Sequence, residues 1–491
     1  MLFNSYTFIF AFLPFALLTY HGLRWAGFER GAILALTLLS LGFYGWWNPI
    51  YLLLLIPLTF ANYIFAKRIL ACRQARPSVA KTLLISGLIG NLSVLGYFKY
   101  ANFFIDNMNT LLGLNLFLAQ IVLPLGISFF TFQKIAFLVD VYRGRVTFLN
   151  MLDFALFVSF FPQLIAGPIV HHSEVLPQLR QRGAMSIPVE MGVTIFIIGL
   201  AKKVLLADTA ALYATPPFAA AASGEALGLL TAWRGALAYT LQLYFDFSGY
   251  SDMAIGAALL FGIRLPVNFN SPYKATGIID FWRRWHITLS RFLRDYLYIP
   301  LGGNRHGKMR RYGNLLLTML LGGLWHGANW TFVIWGVLHG GYLVANHAWH
   351  AIRPRIFSVN RPVGYIEVWM GRAITFIAIT IAWVVFRAED AATAFGILGS
   401  MIGLHDWGAA PSKREICVLM ALLLGAFFAP NTQAITGYVG SAGIYGEGAT
   451  PSGPIRLRWQ PTLWWATIMG CLFALSVASL SRISEFIYFQ F

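Results

Sequence analysis

Thirteen apolar runs fill most of this chain and leave it few ways to fold. They lie around residues 7–20, 31–45, 49–66, 82–98, 113–139, 151–170, 189–206, 225–247, 315–326, 329–348, 366–386, 416–429 and 463–480. A helix needs about 20 apolar residues to cross a bilayer, so the longer runs read as spans and the shorter ones as tilted or re-entrant pieces. Only 11% of residues are charged, where a soluble chain carries about 25%. The runs lack the alternation of a membrane barrel, and lipid offers the backbone no hydrogen bonds, so helices remain as the spanning form. The expected fold is an all-α polytopic membrane protein of about eleven spans with interfacial and re-entrant helices, one integral-membrane domain over 1–491. No repeat of fixed period appears.

The net charge of +17 fits the positive-inside rule and anionic lipid better than nucleic acid. The first run has no basic n-region and no small-residue cleavage site, so it reads as a retained span. Arg24 and Arg30 follow it, and Lys67, Arg68, Arg73, Arg76 and Lys81 follow two runs later. An even number of spans between those loops lets both face the cytoplasm, with the N-terminus outside. Residues 264–311 carry ten Lys/Arg against two Asp and go to the same side. Cys72, Cys417 and Cys471 are scattered and make neither a disulfide framework nor a metal spacing.

Polar residues interrupt several runs. Pro124, Gln133, Lys134 and Asp140 lie in 121–145, and Pro162 and Pro168 break 157–182, which suggests irregular backbone beside a cavity. Asp246 and Asp252 sit in apolar sequence. Such carboxylates usually mark function, although a helix-end cap after Ser248-Gly-Tyr-Ser251 explains Asp252 equally well.

The stretch from Asp280 to Trp330 concentrates the chemistry. On a continuous helix, Ile278, Phe281, Trp282, Trp285, Leu289, Phe292, Leu293 and Tyr296 share one face, with Arg283, Arg284, Arg291 and Arg294 opposite. That pattern predicts a helix lying in the membrane interface. His286 falls at the edge of its apolar stripe, and His326 lies in the run beyond, between Trp325 and Gly327 with Asn329 three residues on. Apolar surroundings penalise imidazolium and keep the ring neutral, the form that accepts a proton. A core histidine bonded to a carbonyl is the competing explanation. Gly302 to Lys308 imitates a phosphate loop, but Met309 replaces the required Ser/Thr and no strand precedes it. Arg305, Lys308, Arg310 and Arg311 can still hold phosphates or anchor the cytoplasmic side. His347 and His350 lack a third metal ligand and read as the end of a span, while His171 and His172 read as loop residues near the same cavity. With no G-x-S-x-G elbow and no H-E-x-x-H, a reacting hydroxyl belongs to substrate or partner.

Residues 281–305 (FWRRWHITLSRFLRDYLYIPLGGNR), 320–340 (LLGGLWHGANWTFVIWGVLHG), 246–262 (DFSGYSDMAIGAALLFG), 268–273 (NFNSPY), 129–144 and 160–169 resemble the membrane-bound O-acyltransferases. The likeness is strongest over about 120–350, and it is to the bacterial branch that acetylates polysaccharides such as alginate. The resemblance implies a ring of helices around a transmembrane tunnel in the bacterial inner membrane. It also implies acetyl-CoA as cytoplasmic donor, no metal, and an esterase-like SGNH partner in the periplasm that passes acetyl to an exopolysaccharide. It makes His326 catalytic and His286 the second family histidine, with His326 either a base or a transient acyl carrier. Trp325, Asn329, Arg283, Arg294, Arg305, Lys308, Asp246, Asp252 and Gln133 are the candidate binding residues. A transporter or flippase, with Asp246 and Asp252 along a pathway, and an acylator of lipid or teichoic acid are the alternatives.

Overall fold

Glycines set the centre of the molecule. A computed structural model describes residues 1–180, 188–356, 364–441, 457–480 and 487. The Leu229–Leu260 helix is buried on every side from Leu243 to Leu260, as an all-round apolar helix must be. It runs against a continuous helical stretch made of Val189–Ala201, a π turn Lys202–Ala207, and Asp208–Ala222. Their backbones touch: a Cβ added at Gly256 would stand 2.6 Å from the Gly192 carbonyl oxygen, and one at Gly199 would stand 2.6 Å from that of Gly249. Small residues permit this approach inside a membrane, where apolar side chains gain nothing by leaving lipid. The contact sets two adjacent lysines against the central helix. Lys202 Nζ lies 2.6 Å from Asp252 and Lys203 Nζ lies 2.8 Å from Asp246.

Around this centre the described residues are helical, without a strand. Among the described residues, four helices are long and apolar enough to cross a membrane: Thr7–Trp25, Pro49–Cys72, Pro77–Leu112 and Tyr365–Arg387. The first three bury less than a third of their apolar windows, so their outer faces are left for lipid. Two helices, Glu29–Gly45 and Pro49–Cys72, lie between the first two basic loops, and the second is one of these four.

Several sequence expectations change. The run 113–139 is not one span, because residues 113–126 are irregular and the helix is Ile127–Tyr142. The 157–182 segment is broken, into Met151–Ser159, Phe161–Leu164 and His172–Arg180. Ser248 to Ser251 is helical, so Asp252 lies mid-helix and caps nothing. The 404–415 loop ends at Ser412, whose hydroxyl caps Lys413–Phe428. The expected 431–462 loop begins with a short helix, Thr432–Thr436, and its residues 442–456 lie outside the described residues.

The largest correction concerns 278–296. It is not one interfacial helix but Ile278–Trp282, a turn, Ile287–Leu293 and a π turn Arg294–Tyr298. His286 breaks it by taking left-handed backbone at φ 41°. The apolar residues Phe281, Trp282, Trp285, Leu289, Phe292 and Leu293 are buried in protein and do not face acyl chains. Of the four arginines, Arg283 and Arg294 are exposed, whereas Arg284 and Arg291 are half-buried and Arg291 pairs with the buried Glu174 at 2.6 Å. The fragments keep the amphipathic partition because each is itself helical, but the break rotates the imidazole inward.

Leu315 to Ala348 divides at Gly327-Ala-Asn into the helices Gly307–His326 and Trp330–Ile356. This hairpin is again closed on glycine: a Cβ at Gly336 would meet the Met319 carbonyl at 2.6 Å, and one at Gly340 would meet Leu316 Cα at 3.1 Å. Gly341, one residue on, faces open space. Gly336→Leu is therefore expected to prise the hairpin apart, at a cost of about 3 kcal/mol or more, and to shift the detergent-solubilised protein to aggregate on size exclusion. Gly341→Ala should elute as wild type, and a monodisperse Gly336→Leu would contradict the packing.

Candidate active site

His326 is the last residue of its helix, and its neighbours explain why the helix stops there. Gly327 is required by space, since a Cβ would stand 2.1 Å from the Phe332 ring. Asn329 accepts from Thr331 N at 3.0 Å and so caps the next helix, while its amide donates to the Glu389 carbonyl at 2.7 Å. The imidazole is 5% exposed. Three aromatic rings meet it edge-on: Trp325 at 4.9 Å, Trp335 at 5.0 Å and Phe386 at 5.1 Å.

Two further histidines share those rings. His286 lies 6.2 Å from Trp325, and His339 lies 4.4 Å from Trp335, so the indoles stand between successive imidazoles. His286 is wholly buried, with Phe247 edge-on at 4.8 Å. Asn268 holds it. Its side-chain oxygen accepts from Thr288 N at 3.3 Å and Thr288 Oγ1 at 2.9 Å, and lies 3.1 Å from His286 Nδ1. The backbone donor at Thr288 fixes which amide atom is oxygen. Nδ1 of His286 therefore carries the proton and Nε2 the lone pair. Asn268 also takes Ile287 N at its carbonyl (3.0 Å) and donates to Ser251 Oγ (3.2 Å). Left-handed backbone at a non-glycine residue costs on the order of 1–2 kcal/mol, and such strain gathers at functional sites. In His339 the roles reverse, because Trp282 Nε1 donates to Nδ1 at 3.2 Å.

From the Pro77–Leu112 helix, Lys99 Nζ donates to the carbonyl of His326 at 2.9 Å and to that of Trp325, and Tyr100 OH donates to Leu324 O at 2.6 Å. Both groups cap the carbonyl end of the His326 helix. A cavity of about 60 Å³ opens here, with Lys99, Trp325 and His326 on one side and residues 123–129 with Ile165 and Ala166 on the other. The broken 157–182 segment thus does border a cavity.

The other candidates fall into separate places. Trp325 lies in the site and stacks on Phe132 at 5.4 Å. Gln133, the next residue, is buried. Asp246 and Asp252 are held by the two lysines, Asp252 also accepting from Thr432 at 2.6 Å and Gln433 at 3.2 Å. Arg305 and Lys308 are exposed at the start of the His326 helix, and Arg294 pairs with Asp295 at 2.7 Å. His171 and His172 are not beside His326 in this cavity wall; they face Tyr296 OH (3.1 Å) and Asp140 (3.4 Å). His347 lies 2.7 Å from Arg311. Among the described residues no three His, Cys, Asp or Glu side chains gather as metal ligands. Sequence patterns did not single out Lys99, Asn268 or His339. The NFNSPY motif contains Asn268, whereas nothing local ties Lys99 to a residue 227 positions away.

The model of the membrane-bound O-acyltransferase family matches residues 81–386, which contain every element of this site. The chain is a membrane-bound O-acyltransferase. It is 48% identical to the peptidoglycan O-acetyltransferase of Helicobacter pylori, over 84% of this chain and 82% of that protein. It is 41% identical to the probable alginate O-acetylase AlgI of Pseudomonas aeruginosa, over the whole of both. The teichoic acid D-alanyltransferase of Streptococcus thermophilus is 28% identical over 53% of this chain and 68% of that protein. This O-acyltransferase thus carries three buried imidazoles oriented by different partners.

Asn268→Ala removes the oxygen that orients His286. Acyl transfer is expected to fall about 10–100-fold, the usual effect of losing a group that orients a functional histidine, with elution unchanged. An unaltered rate in a folded variant would show that the ring needs no such hold.

Proposed function

We propose that this O-acyltransferase takes acetyl from cytoplasmic acetyl-CoA and passes it across the bacterial inner membrane, past His326, toward a cell-surface polysaccharide. The observation that carries this reading is the placement of His326, a buried imidazole that also walls a small cavity. About 60 Å³ is room for a group the size of acetyl beside the imidazole. The relatives support the same acceptor class, since their names specify peptidoglycan and alginate.

His326 removes the proton from an attacking hydroxyl, or accepts the acetyl group itself, and His286 polarises or positions a reactant through Nε2. Arg305, Lys308 and Arg310 are exposed together at the N-terminal turn of the Gly307–His326 helix. Cations there oppose the helix dipole, an arrangement that an anion relieves, and the phosphates of coenzyme A supply one. Arg283 and Arg294 extend the basic surface. A ring of about eleven spanning helices encloses the passage, and a periplasmic esterase-like partner completes transfer to the exopolysaccharide. A transport pathway through Asp246 and Asp252 is less well supported, because Lys203 and Lys202 already engage both. D-alanylation of teichoic acid has only the weaker, partial likeness behind it.

Purified protein given acetyl-CoA and octanoyl-CoA tests the reading. Thioester cleavage is expected with acetyl-CoA, at least tenfold slower with octanoyl-CoA, and reduced about 10³-fold by His326→Ala. Cleavage that survives in His326→Ala would remove His326 from the chemistry, and equal rates for the two donors would contradict acetyl as the preferred group.

A further inference from the structure

We propose that Lys99 is a catalytic residue, the cation that receives the negative charge of the acyl oxygen during transfer at His326. The proposal deepens the acetyl-transfer reading and rests on it. An ammonium has three N–H donors. Two of those of Lys99 are spent on the carbonyls of Trp325 and His326, and these bonds fix the nitrogen against the turn that bears the imidazole. Among the described residues the third has no acceptor, and the side chain lines the cavity that His326 also lines. Nζ stands 5.9 Å from the Trp325 ring centroid, so that ring walls one flank. Trp325, whose buried Nε1 has no acceptor among the described residues, also lines this cavity. Lys99 and His326 thus line one small space, and the ammonium there keeps a donor in hand. Lys202 and Lys203 are each matched by a carboxylate, and the buried Lys134 lies over the Phe130 ring at 4.4 Å. Lys99 differs from these in being held by two carbonyl oxygens beside a cavity.

That geometry fits a tetrahedral intermediate. When the acceptor hydroxyl attacks, its oxygen bonds to the acyl carbon while His326 takes its proton, and the carbonyl π electrons move onto the acyl oxygen. Lys99 donates to that oxyanion. Collapse restores the carbonyl, breaks the carbon–sulfur bond and returns the proton from the imidazolium to the leaving thiolate. The same oxyanion forms if His326 itself is the nucleophile, so the role of Lys99 does not depend on that choice. A preorganised donor aimed at developing charge contributes about 10²–10³ in kcat.

The test uses the full chain in nanodiscs with acetyl-CoA as substrate, comparing Lys99→Met, Lys99→Gln and Tyr100→Phe. Tyr100 caps the neighbouring carbonyl of the same helix end and reports what loss of capping alone does. Lys99→Met is expected to lower kcat about 100-fold or more, with KM for acetyl-CoA within threefold and the melting temperature close to that of Tyr100→Phe, which keeps most of its activity. Lys99→Gln keeps an N–H for a carbonyl without the charge, and is expected to fold and to share the kcat loss. Where Lys99→Met aggregates, Lys99→Gln decides the outcome. A kcat within threefold of wild type in either folded variant overturns the proposal, as does a loss that Tyr100→Phe matches. Failure of the underlying reading looks different: there His326→Ala cleaves acetyl-CoA at the wild-type rate, or wild type cleaves none, and the proposal falls with it.

Discussion

In a membrane no solvent corrects a polar group left without a partner, and the structure is arranged around that constraint. The clearest case is the pair of ion bridges from Lys202 to Asp252 and Lys203 to Asp246, between two helices that touch through Gly192/Gly256 and Gly199/Gly249. Removing one partner of a buried pair typically costs about 3–5 kcal/mol, so these four side chains and the glycines depend on one another. The central helix that results presents Phe247 and Ser251 to the site, where they contact His286 and Asn268.

The same principle separates structural from reactive polarity. Asp246, Asp252, Asn329 and Arg294 have partners that account for them. At His326 a lysine held only by carbonyl oxygens lines a cavity together with the imidazole. An acyl carbonyl is an acceptor that becomes an anion as it reacts, so such a cation is complementary to the transition state more than to the substrate.

Much of this was legible in the sequence. Low charge and long apolar runs pointed to helices in a membrane, the prolines at 162 and 168 to the broken segment, and Gly327-Ala-Asn to the end of the His326 helix. The GLWHG and WRRWH motifs drew attention to two of the three imidazoles. What failed did so for physical reasons. Periodicity assumes continuous helix, and His286 in left-handed backbone defeats it while leaving the apolar pattern of the fragments intact. The number of spans blurs because the central helix is packed in protein, where apolar sequence no longer signals lipid. Lys99 and Asn268 act through tertiary contact with residues far away in the chain, and no local spacing encodes that.

In the proposed mechanism a donor on the basic face reaches His326. Sealed membrane vesicles of both orientations, given external acetyl-CoA and monitored for release of coenzyme A thiol, test this most directly. Release is predicted only from vesicles that expose Arg305 and Lys308, and only with His326 intact. Equal release from both orientations, or from the opposite one alone, would contradict it.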